Sequence, residues 1–260
     1  MISSLVLSEL NNGVAILRLN RHDKLNALSR QMIEELSENF RRLKEDELLR
    51  AVILTAPSDV VFCSDTDISE LAELSEAEAI EVSELGQKLC DQIEAFPVPV
   101  IAAVNGVAAG GGCELALACH LRIASSEATF SLPEAKLGLI PAYGGSKRLR
   151  RDLGEGRALE TMLTGKTITA AEALRIGLVN RVVDGADLLP EAKSLANEIS
   201  QLAPLAIRAC LKAVRLGLEL SLEDGLALET ELFAALFATE DVREGTSAFL
   251  EKRSPVFKGK

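Results

Sequence analysis

Two glutamates, Glu114 and Glu134, are the side chains of this sequence best placed to do chemistry. Each stands among apolar residues, in "CELALAC" and "SLPEAKLG", where an ionised carboxylate is costly to bury unless it is paired or in use. Two carboxylates that converge on one site can hold a water molecule between them and divide the roles of acid and base. Glu134 also has a structural alternative, because an acid directly after Pro133 favours the start of a helix.

Three consecutive glycines, Gly110 to Gly112, stand directly before the segment that carries Glu114. Because glycine weakens a helix or strand by roughly 0.5–1 kcal/mol relative to alanine, three in a row need a backbone reason. A strand ending at Asn105-Gly106 and a helix starting after the glycines would present free N–H groups to an anion or a developing oxyanion. The alternative is a tight strand–helix turn that needs positive φ angles. The pattern is neither GxGxxG nor a phosphate loop with its lysine.

The spacing of apolar residues predicts the elements that position these groups. Short β-type runs flank a hairpin turn at residues 11–13, and Ser29 is positioned to cap a helix. A loop is predicted from Ala56 to Asp67, a helix from Ser75 to about Phe96, and a short helix from Cys113 to His120. The remaining strands are "RAVILTA", "VPVIAAVNG", "LRIAS" and "TFSL". Strands that alternate with helices in this way favour parallel pairing, with the helices as crossovers.

From about Gly144 onward the periodicity is mainly helical, interrupted by "GLVNRVVD". Strong helical segments run from Leu188 to Ala203, from Pro204 to Leu220 and from Leu222 to Phe237. The sequence therefore predicts an α/β core followed by a mostly helical C-terminal region.

Composition limits the possible classes of protein. A chain of 260 residues with 48% hydrophobic and 26% charged residues can bury the core of one large domain. A formal net charge of −11 argues against a general nucleic-acid binder. We expect no membrane span and no signal peptide, since no apolar run is long enough and the N-terminus lacks a basic region. The five cysteines are scattered without a CxxC pair, which favours reduced thiols in the cytoplasm over disulfides or a metal site.

Five ordered segments resemble the crotonase family, also called the enoyl-CoA hydratase/isomerase family. They are "KLNAL" (24–28), "FCSDTDI" (62–68), "NGVAAGGGCEL" (105–115), "FSLPEAKLGLIPAYGGSKRL" (130–149) and "AFLEKRSPVFKG" (248–259). The resemblance implies an α/β fold built as a spiral of ββα units, with a core over residues 1–195 and a helical trimerisation region over 196–260. It also implies a homotrimer or a homohexamer. Members differ in reaction, so the family alone does not decide the activity.

The resemblance further implies an acyl-CoA thioester as substrate and no metal or separate redox cofactor. Two backbone N–H groups, by match those of Gly111 and Thr66, would hold the thioester carbonyl. Hydratases of this family have two glutamates at the positions of Glu114 and Glu134, so we expect an enoyl-CoA hydratase. Glu114 would act as base on the water added at Cβ, and Glu134 would supply the proton at Cα. Alternatives are isomerisation, decarboxylation or thioester hydrolysis on the same scaffold, and acyl-CoA binding without catalysis.

By the same match, several further residues would line the substrate site: Lys24, Ala27, Ser64, Asp67, Ile68, Ala142, Tyr143, Phe249 and Lys252. Phe249 would stack on the adenine of CoA and Lys252 would meet its 3′-phosphate. Their spacing of three residues places both on one face of a helix. The alternative for this basic C-terminal segment is a solvated surface. Tyr143 would narrow the acyl pocket or make it more polar, or else lie at the surface.

The segment 64–67 departs from the family pattern. Ser-Asp-Thr-Asp replaces the usual Ala-Gly-Ala-Asp, so that Asp65 stands where a glycine is common. If the backbone there has a positive φ, aspartate is among the less penalised replacements. Because a carboxylate aimed at the site would oppose an enolate, we expect the Asp65 side chain to point away. Ser69 stands where the family often has a basic residue, which bears on how CoA is held.

Overall fold

Strands of two to six residues form two sheets in the described chain, residues 4–57 and 60–260 of the computed structural model. In chain order they are β1 (Val6–Asn11), β2 (Val14–Leu19), β3 (Ala51–Thr55), β4 (Val61–Cys63), β5 (Val100–Val104), β6 (Val107–Ala109), β7 (Leu121–Ser125), β8 (Thr129–Ser131), β9 (Ile168–Thr169) and β10 (Arg181–Val183). The larger sheet has the order β1-β2-β3-β5-β7-β10 and the smaller the order β4-β6-β8-β9.

Strand pairing is parallel in both sheets except at one edge of each. β1 pairs antiparallel with β2, and the turn between them places Asn12 at φ 50° and Gly13 at φ 77°. β8 pairs antiparallel with β9, while the other neighbours pair parallel. The predicted hairpin and the predicted parallel pairing are both confirmed.

Helices connect the strands and form the C-terminal region. They are α1 (Arg30–Leu43), α2 (Ile68–Leu71), α3 (Glu76–Glu94), α4 (Gly111–Ala118), α5 (Gly145–Leu153), α6 (Glu155–Thr164), α7 (Ala170–Arg175), α8 (Leu188–Ser200), α9 (Pro204–Gly217), α10 (Leu222–Leu236) and α11 (Glu240–Glu251). Ser29 caps α1 by accepting the N–H of Met32, as predicted, and Ser75 caps α3 in a reciprocal capping box with Glu78. Single turns of 3₁₀ helix occur at His22–Lys24, Glu134–Leu137 and Gly185–Asp187.

The larger sheet is covered on both faces, so every residue of β3 and β5 is buried. On one face α1 contributes Leu36 and Phe40, and the Phe40 ring packs edge-on against Phe96 with centroids 5.2 Å apart. On the other face α8 contributes Ala192 and Ala196, which are both fully buried. The proposed boundary between residues 195 and 196 falls inside this helix, and the division into two regions stays a prediction.

Three details of the predicted elements near the glycines are wrong. Val61–Cys63 forms β4 inside the segment expected to be a loop, of which residues 58 and 59 lie outside the described chain. Val107–Ala109 forms β6 directly before the glycines, and it pairs with β4 and β8. α4 begins at Gly111, two residues earlier than predicted, with Gly110 as its N-cap at φ 47°. Strands of three residues are too short to show a period in the sequence.

The C-terminal helices α9 and α10 pack against each other, and neither contains a buried residue. α10 and the residue after it expose large apolar side chains, namely Leu222, Leu226, Phe233 and Phe237. Exposed apolar side chains grouped on one helix are typical of an interaction surface. Within residues 4–57 and 60–260, no helix has both the length and the apolar character needed to cross a membrane.

Candidate active site

The N-terminus of α4 lies directly against residues 63–66, which are the last residue of β4 and the segment after it. A Cβ atom on Gly112 would come within 2.2 Å of the Cys63 carbonyl oxygen, and one on Gly111 within 2.8 Å of the Thr66 hydroxyl. Gly110 has φ 47°, which side chains rarely tolerate. The three glycines are therefore required by close approach and by backbone conformation together.

This contact brings together two backbone N–H groups that take no part in the hydrogen bonds of a helix or a sheet. Leu28 and Thr66 form an isolated parallel bridge, in which Leu28 donates its N–H to the Asp65 carbonyl at 2.8 Å and accepts the N–H of Asp67 at 2.9 Å. The N–H of Thr66 lies between these bonds and is directed towards α4. The N–H of Gly111 belongs to the first turn of α4, where no carbonyl of the helix can accept it. Both groups converge on a single oxygen.

That oxygen belongs to Asp65. Its Oδ1 accepts the N–H of Thr66 at 2.6 Å and the N–H of Gly111 at 3.0 Å. The expectation that this side chain points away is wrong. Asp65 has φ 154°, a region that glycine favours, and this backbone turns the carboxylate towards the N-terminus of α4. Two N–H donors at the positive end of a helix dipole attract a carboxylate strongly enough to hold it there.

Glu114 lies in the first turn of α4 and is 2% exposed. Its Oε1 accepts the N–H of Tyr143 at 2.8 Å and the N–H of Gly145 at 2.6 Å. Burial raises the pKa of Glu114 to about 8; the two N–H donors oppose this shift, and the charges of Glu134 and Asp65 add to it. The carboxyl is thus held in one orientation and titrates in the neutral range.

Glu134 begins the 3₁₀ turn after Pro133 and is 6% exposed. In the described part of the chain, neither of its buried oxygens accepts a hydrogen bond from another residue. Burial, assisted by the charge of Asp65, raises the pKa of Glu134 to about 7. Its place at the start of a turn fits the alternative that an acid after Pro133 only favours the start of a helix. That alternative does not explain why a buried carboxyl accepts no hydrogen bond from another residue.

Tyr143 is buried, 2% exposed, so the alternative of a surface tyrosine is wrong. Its ring lies between α3 and the N-terminus of α4. A Cβ on Gly86 would lie 2.0 Å from Cδ1 of this ring, and a Cβ on Gly111 would lie 3.2 Å from Cε2. The buried hydroxyl lies beside Thr66. The ring therefore closes the space next to the paired N–H groups of Thr66 and Gly111.

Residues 141–145, which hold Glu114, are themselves fixed by α3 and α5. The carbonyl of Ala142 accepts hydrogen bonds from Ser83 at 2.9 Å and from Gln87 at 3.0 Å. The carbonyl of Tyr143 accepts from Arg148 at 2.9 Å, and Arg148 in turn pairs with Glu94 at 2.7 Å. A buried arginine with several acceptors is costly to disrupt, so this network keeps the N–H of Tyr143 aimed at Glu114.

Sequence reasoning missed Gly86, Gly145 and Arg148. The pair Gly144-Gly145 was the available signal for one of them, because a Cβ on Gly145 would lie 2.8 Å from Cγ of Glu114. Nothing in the sequence distinguishes Arg148 from the neighbouring cations of "SKRLRR".

The remaining predicted substrate residues divide between two regions. Lys24, Ala27, Ser64 and Ile68 lie on the two segments joined by the bridge between Leu28 and Thr66, and Ala142 adjoins Tyr143. Asp67 lies on the same segment as Ser64, but its carboxylate is bound by Arg21 at 2.7 Å and by the hydroxyl and N–H of Ser69.

Phe249 and Lys252 lie at the other end of the chain, and both are exposed. α11 ends at Glu251, and Lys252 has φ 58°. The expectation that these two residues share one helix face is therefore wrong, because the left-handed backbone at Lys252 ends the helical repeat.

A family model described as enoyl-CoA hydratase/isomerase matches residues 9–260. The chain belongs to this family of enzymes. It is 42% identical over 248 residues to a short-chain-enoyl-CoA hydratase of Clostridium acetobutylicum, covering 95% of each sequence. It is 41% identical over 252 residues to a crotonyl-CoA hydratase of Syntrophomonas wolfei, covering 97% of each.

The fold agrees with this membership. The crystal structure of an enoyl-CoA hydratase from Bacillus anthracis matches with a TM-score of 0.96 and 37% identity, covering 99% of this chain and 100% of that chain. The predicted crotonase-type α/β fold with a helical C-terminal region is confirmed.

The unpartnered carboxyl of Glu134 makes stability depend on pH. Because its folded-state pKa is raised from 4.5 to about 7, the folded protein binds this proton more tightly than the unfolded chain. The stabilising contribution is complete below pH 4.5 and is lost as the pH rises through about 7. We expect Glu134→Gln to reduce the fall in melting temperature between pH 5 and pH 9 by several degrees, measured by differential scanning fluorimetry.

Glu127→Gln, which changes an exposed glutamate, is the matched control and should leave the pH dependence of the wild type unchanged. If the melting temperatures of Glu134→Gln and wild type fell in parallel with pH, the assignment of a raised pKa to Glu134 would be contradicted.

Proposed function

We propose that this protein is an enoyl-CoA hydratase that reversibly adds water to the double bond of a 2-enoyl-CoA. One observation carries the proposal. The N–H groups of Thr66 and Gly111 point at one oxygen, from 2.6 and 3.0 Å, with two buried glutamates beside them. In the proposed complex the thioester oxygen takes the place that the Asp65 oxygen holds in this structure. The names of the relatives in Clostridium acetobutylicum and Syntrophomonas wolfei support the same reaction.

In the proposed mechanism the thioester carbonyl accepts both N–H groups, which stabilise the enolate formed as water adds. Removing one such donor typically costs about 10²–10³-fold in rate. Glu114 and Glu134 hold the water; Glu114 removes its proton while the hydroxyl joins Cβ, and Glu134 delivers a proton to Cα. The roles require an ionised Glu114 and a protonated Glu134. In the unliganded protein the pKa of Glu114, about 8, lies above that of Glu134, about 7, so a single shared proton rests on Glu114 and has to pass to Glu134 before water adds.

We expect Glu114→Gln and Glu134→Gln each to lower kcat for hydration of crotonyl-CoA by roughly 10²–10⁴-fold. Glutamine keeps the shape of the side chain but removes the group that transfers the proton, so KM should change little. The measurement is loss of the enoyl absorbance, with mass spectrometry to confirm addition of one water. Near-normal hydration by either variant would contradict the role of both glutamates.

We also propose that the acyl group is short. The ring of Tyr143 packs against Gly86 and over Gly111, so it fills space that a longer chain would need beside the paired N–H groups. Two relatives, a short-chain-enoyl-CoA hydratase and a crotonyl-CoA hydratase, point the same way.

Tyr143→Ala should open this space without removing the backbone N–H that holds Glu114. We expect the ratio of kcat/KM for 2-decenoyl-CoA to that for crotonyl-CoA to rise by about tenfold or more, since several methylene groups gain room. Tyr143→Phe keeps the ring and is the control, with a ratio near that of the wild type. An equal rise in both variants would assign the effect to the hydroxyl instead of the ring.

The C-terminal region is proposed to assemble the protein as a homotrimer or homohexamer and to complete the CoA site. The exposed apolar side chains of α10 support the assembly. Among the basic residues of the tail, Arg253 is bound by Glu244 and Glu251. In the described residues, by contrast, no carboxylate lies within 4.0 Å of the Lys252 ammonium. Lys252 therefore stays available for a phosphate, while exposed Phe249 can stack on adenine.

We expect Lys252→Ala to raise KM for crotonyl-CoA by up to about fivefold at low salt, the size of an exposed ion pair, with kcat nearly unchanged. The increase should shrink as salt screens the charge. Steady-state kinetics over a series of NaCl concentrations test this, with Lys44→Ala as the control on an exposed lysine outside the tail. An unchanged KM at low salt would leave Lys252 as a solvated surface charge.

A further inference from the structure

We propose that Asp65 is an internal ligand of the paired N–H groups of Thr66 and Gly111, which the thioester carbonyl must displace, so that Asp65 sets the affinity for acyl-CoA. The proposal rests on the proposed function for the role of those N–H groups. It assigns to Asp65 a part in substrate selection that neither glutamate has.

The geometry makes the two occupants mutually exclusive. One carboxylate oxygen already receives both N–H groups, from Thr66 at 2.6 Å and from Gly111 at 3.0 Å. An N–H aligned on one acceptor cannot donate well to a second. The Asp65 carboxyl also lies close over Gly110, where a Cβ atom would meet its three atoms at 2.0, 2.2 and 2.3 Å. A thioester oxygen therefore has access to the N–H groups only after Asp65 has moved.

The surroundings of Asp65 also allow its carboxylate to move away from the N–H groups of Thr66 and Gly111. It is half-buried, with no Lys, Arg or His among its ion-pair partners in the described chain. The titratable groups that face it are Glu114 on α4, Glu134 on its turn, Cys63 on β4 and Tyr143 before α5. Two of these are acids that repel an ionised Asp65, and Arg21 pairs with Asp67 instead. Burial raises the pKa of Asp65, while the N–H groups of Gly111 and Thr66 oppose that rise.

Displacement has a measurable cost for acyl-CoA and none for CoA. When the competent state is only a fraction of the population, the apparent Kd equals the intrinsic Kd divided by that fraction. Free CoA has no thioester carbonyl to place on the N–H groups, so its affinity should be independent of Asp65. Contacts to the nucleotide are common to CoA and acyl-CoA, so they cancel in the ratio of the two Kd values. The ratio therefore reports the competition between Asp65 and the thioester carbonyl.

The test uses isothermal titration of the full-length protein with butyryl-CoA, which is saturated and cannot be hydrated, and with CoA. Asp65→Gly removes the carboxylate and suits the φ of 154°. If the N–H groups are free in a tenth of the wild-type molecules or fewer, it should tighten butyryl-CoA binding by about tenfold or more. The affinity for CoA should stay unchanged. Asp65→Asn keeps the shape but removes the charge, so it should give a smaller gain.

A pH series adds an independent readout. Protonation weakens Asp65 as an acceptor, and burial raises the pKa of its carboxyl, so the wild-type ratio of the two Kd values should shift in favour of butyryl-CoA as the pH is lowered. The shift should be smaller in Asp65→Gly, where Glu114 and Glu134 still titrate.

Unchanged or weaker butyryl-CoA binding in Asp65→Gly, with CoA binding intact, would overturn the proposal. So would a loss of hydration beyond about 10²-fold at saturating substrate, because it would place Asp65 in the chemical step itself. A gain in butyryl-CoA affinity in a protein that hydrates no enoyl-CoA would support Asp65 as the competitor while refuting the hydratase function.

Discussion

The active site depends on the lack of a Cβ atom on the three glycines at the N-terminus of α4. A Cβ on Gly112 would meet the Cys63 backbone, one on Gly111 the Thr66 hydroxyl, and one on Gly110 the Asp65 carboxylate. Only this contact places the N–H of Thr66, from one element, beside the N–H of Gly111, from another. Because the smaller sheet pairs β4 directly with β6, and β6 leads straight into α4, the sheet register fixes how closely the two N–H groups approach. Fold and site are therefore specified by the same hydrogen bonds.

Three carboxyls surround this point, and in the described part of the chain none forms an ion pair with a basic side chain. Their charges are met only by backbone N–H groups, or in the case of Glu134 by no donor from another residue. Such an arrangement is unfavourable for folding, yet it is useful for a reaction that needs both an acid and a base near neutral pH. A cation here would hold both glutamates ionised and remove the acid. The unpaired carboxyls therefore lower the stability of the fold, but they can exchange protons near neutral pH.

Much of this architecture could be predicted from the sequence, because the long elements carry a clear period. α1 and α3 follow from the spacing of apolar residues, β3 and β5 follow from continuous apolar runs, and both glutamates are conspicuous by their apolar neighbours. β4 and β6 could not be predicted, because three residues show no periodicity and their pairing is set by distant partners. The direction of Asp65 was mispredicted for a similar reason. It is decided by the N–H of Gly111, which lies 46 residues along the chain.

The main chain and the side chain of Tyr143 have separate roles. Its N–H orients Glu114, its carbonyl is held by Arg148, and only its ring faces the space beside Gly86. Any amino acid except proline supplies the same N–H, so the ring can be exchanged while Glu114 stays in place. Under the proposed function, substitutions at this position can change the acyl group that fits without first displacing Glu114. Position 143 is then a site at which the substrate range can change during evolution while the catalytic step is kept.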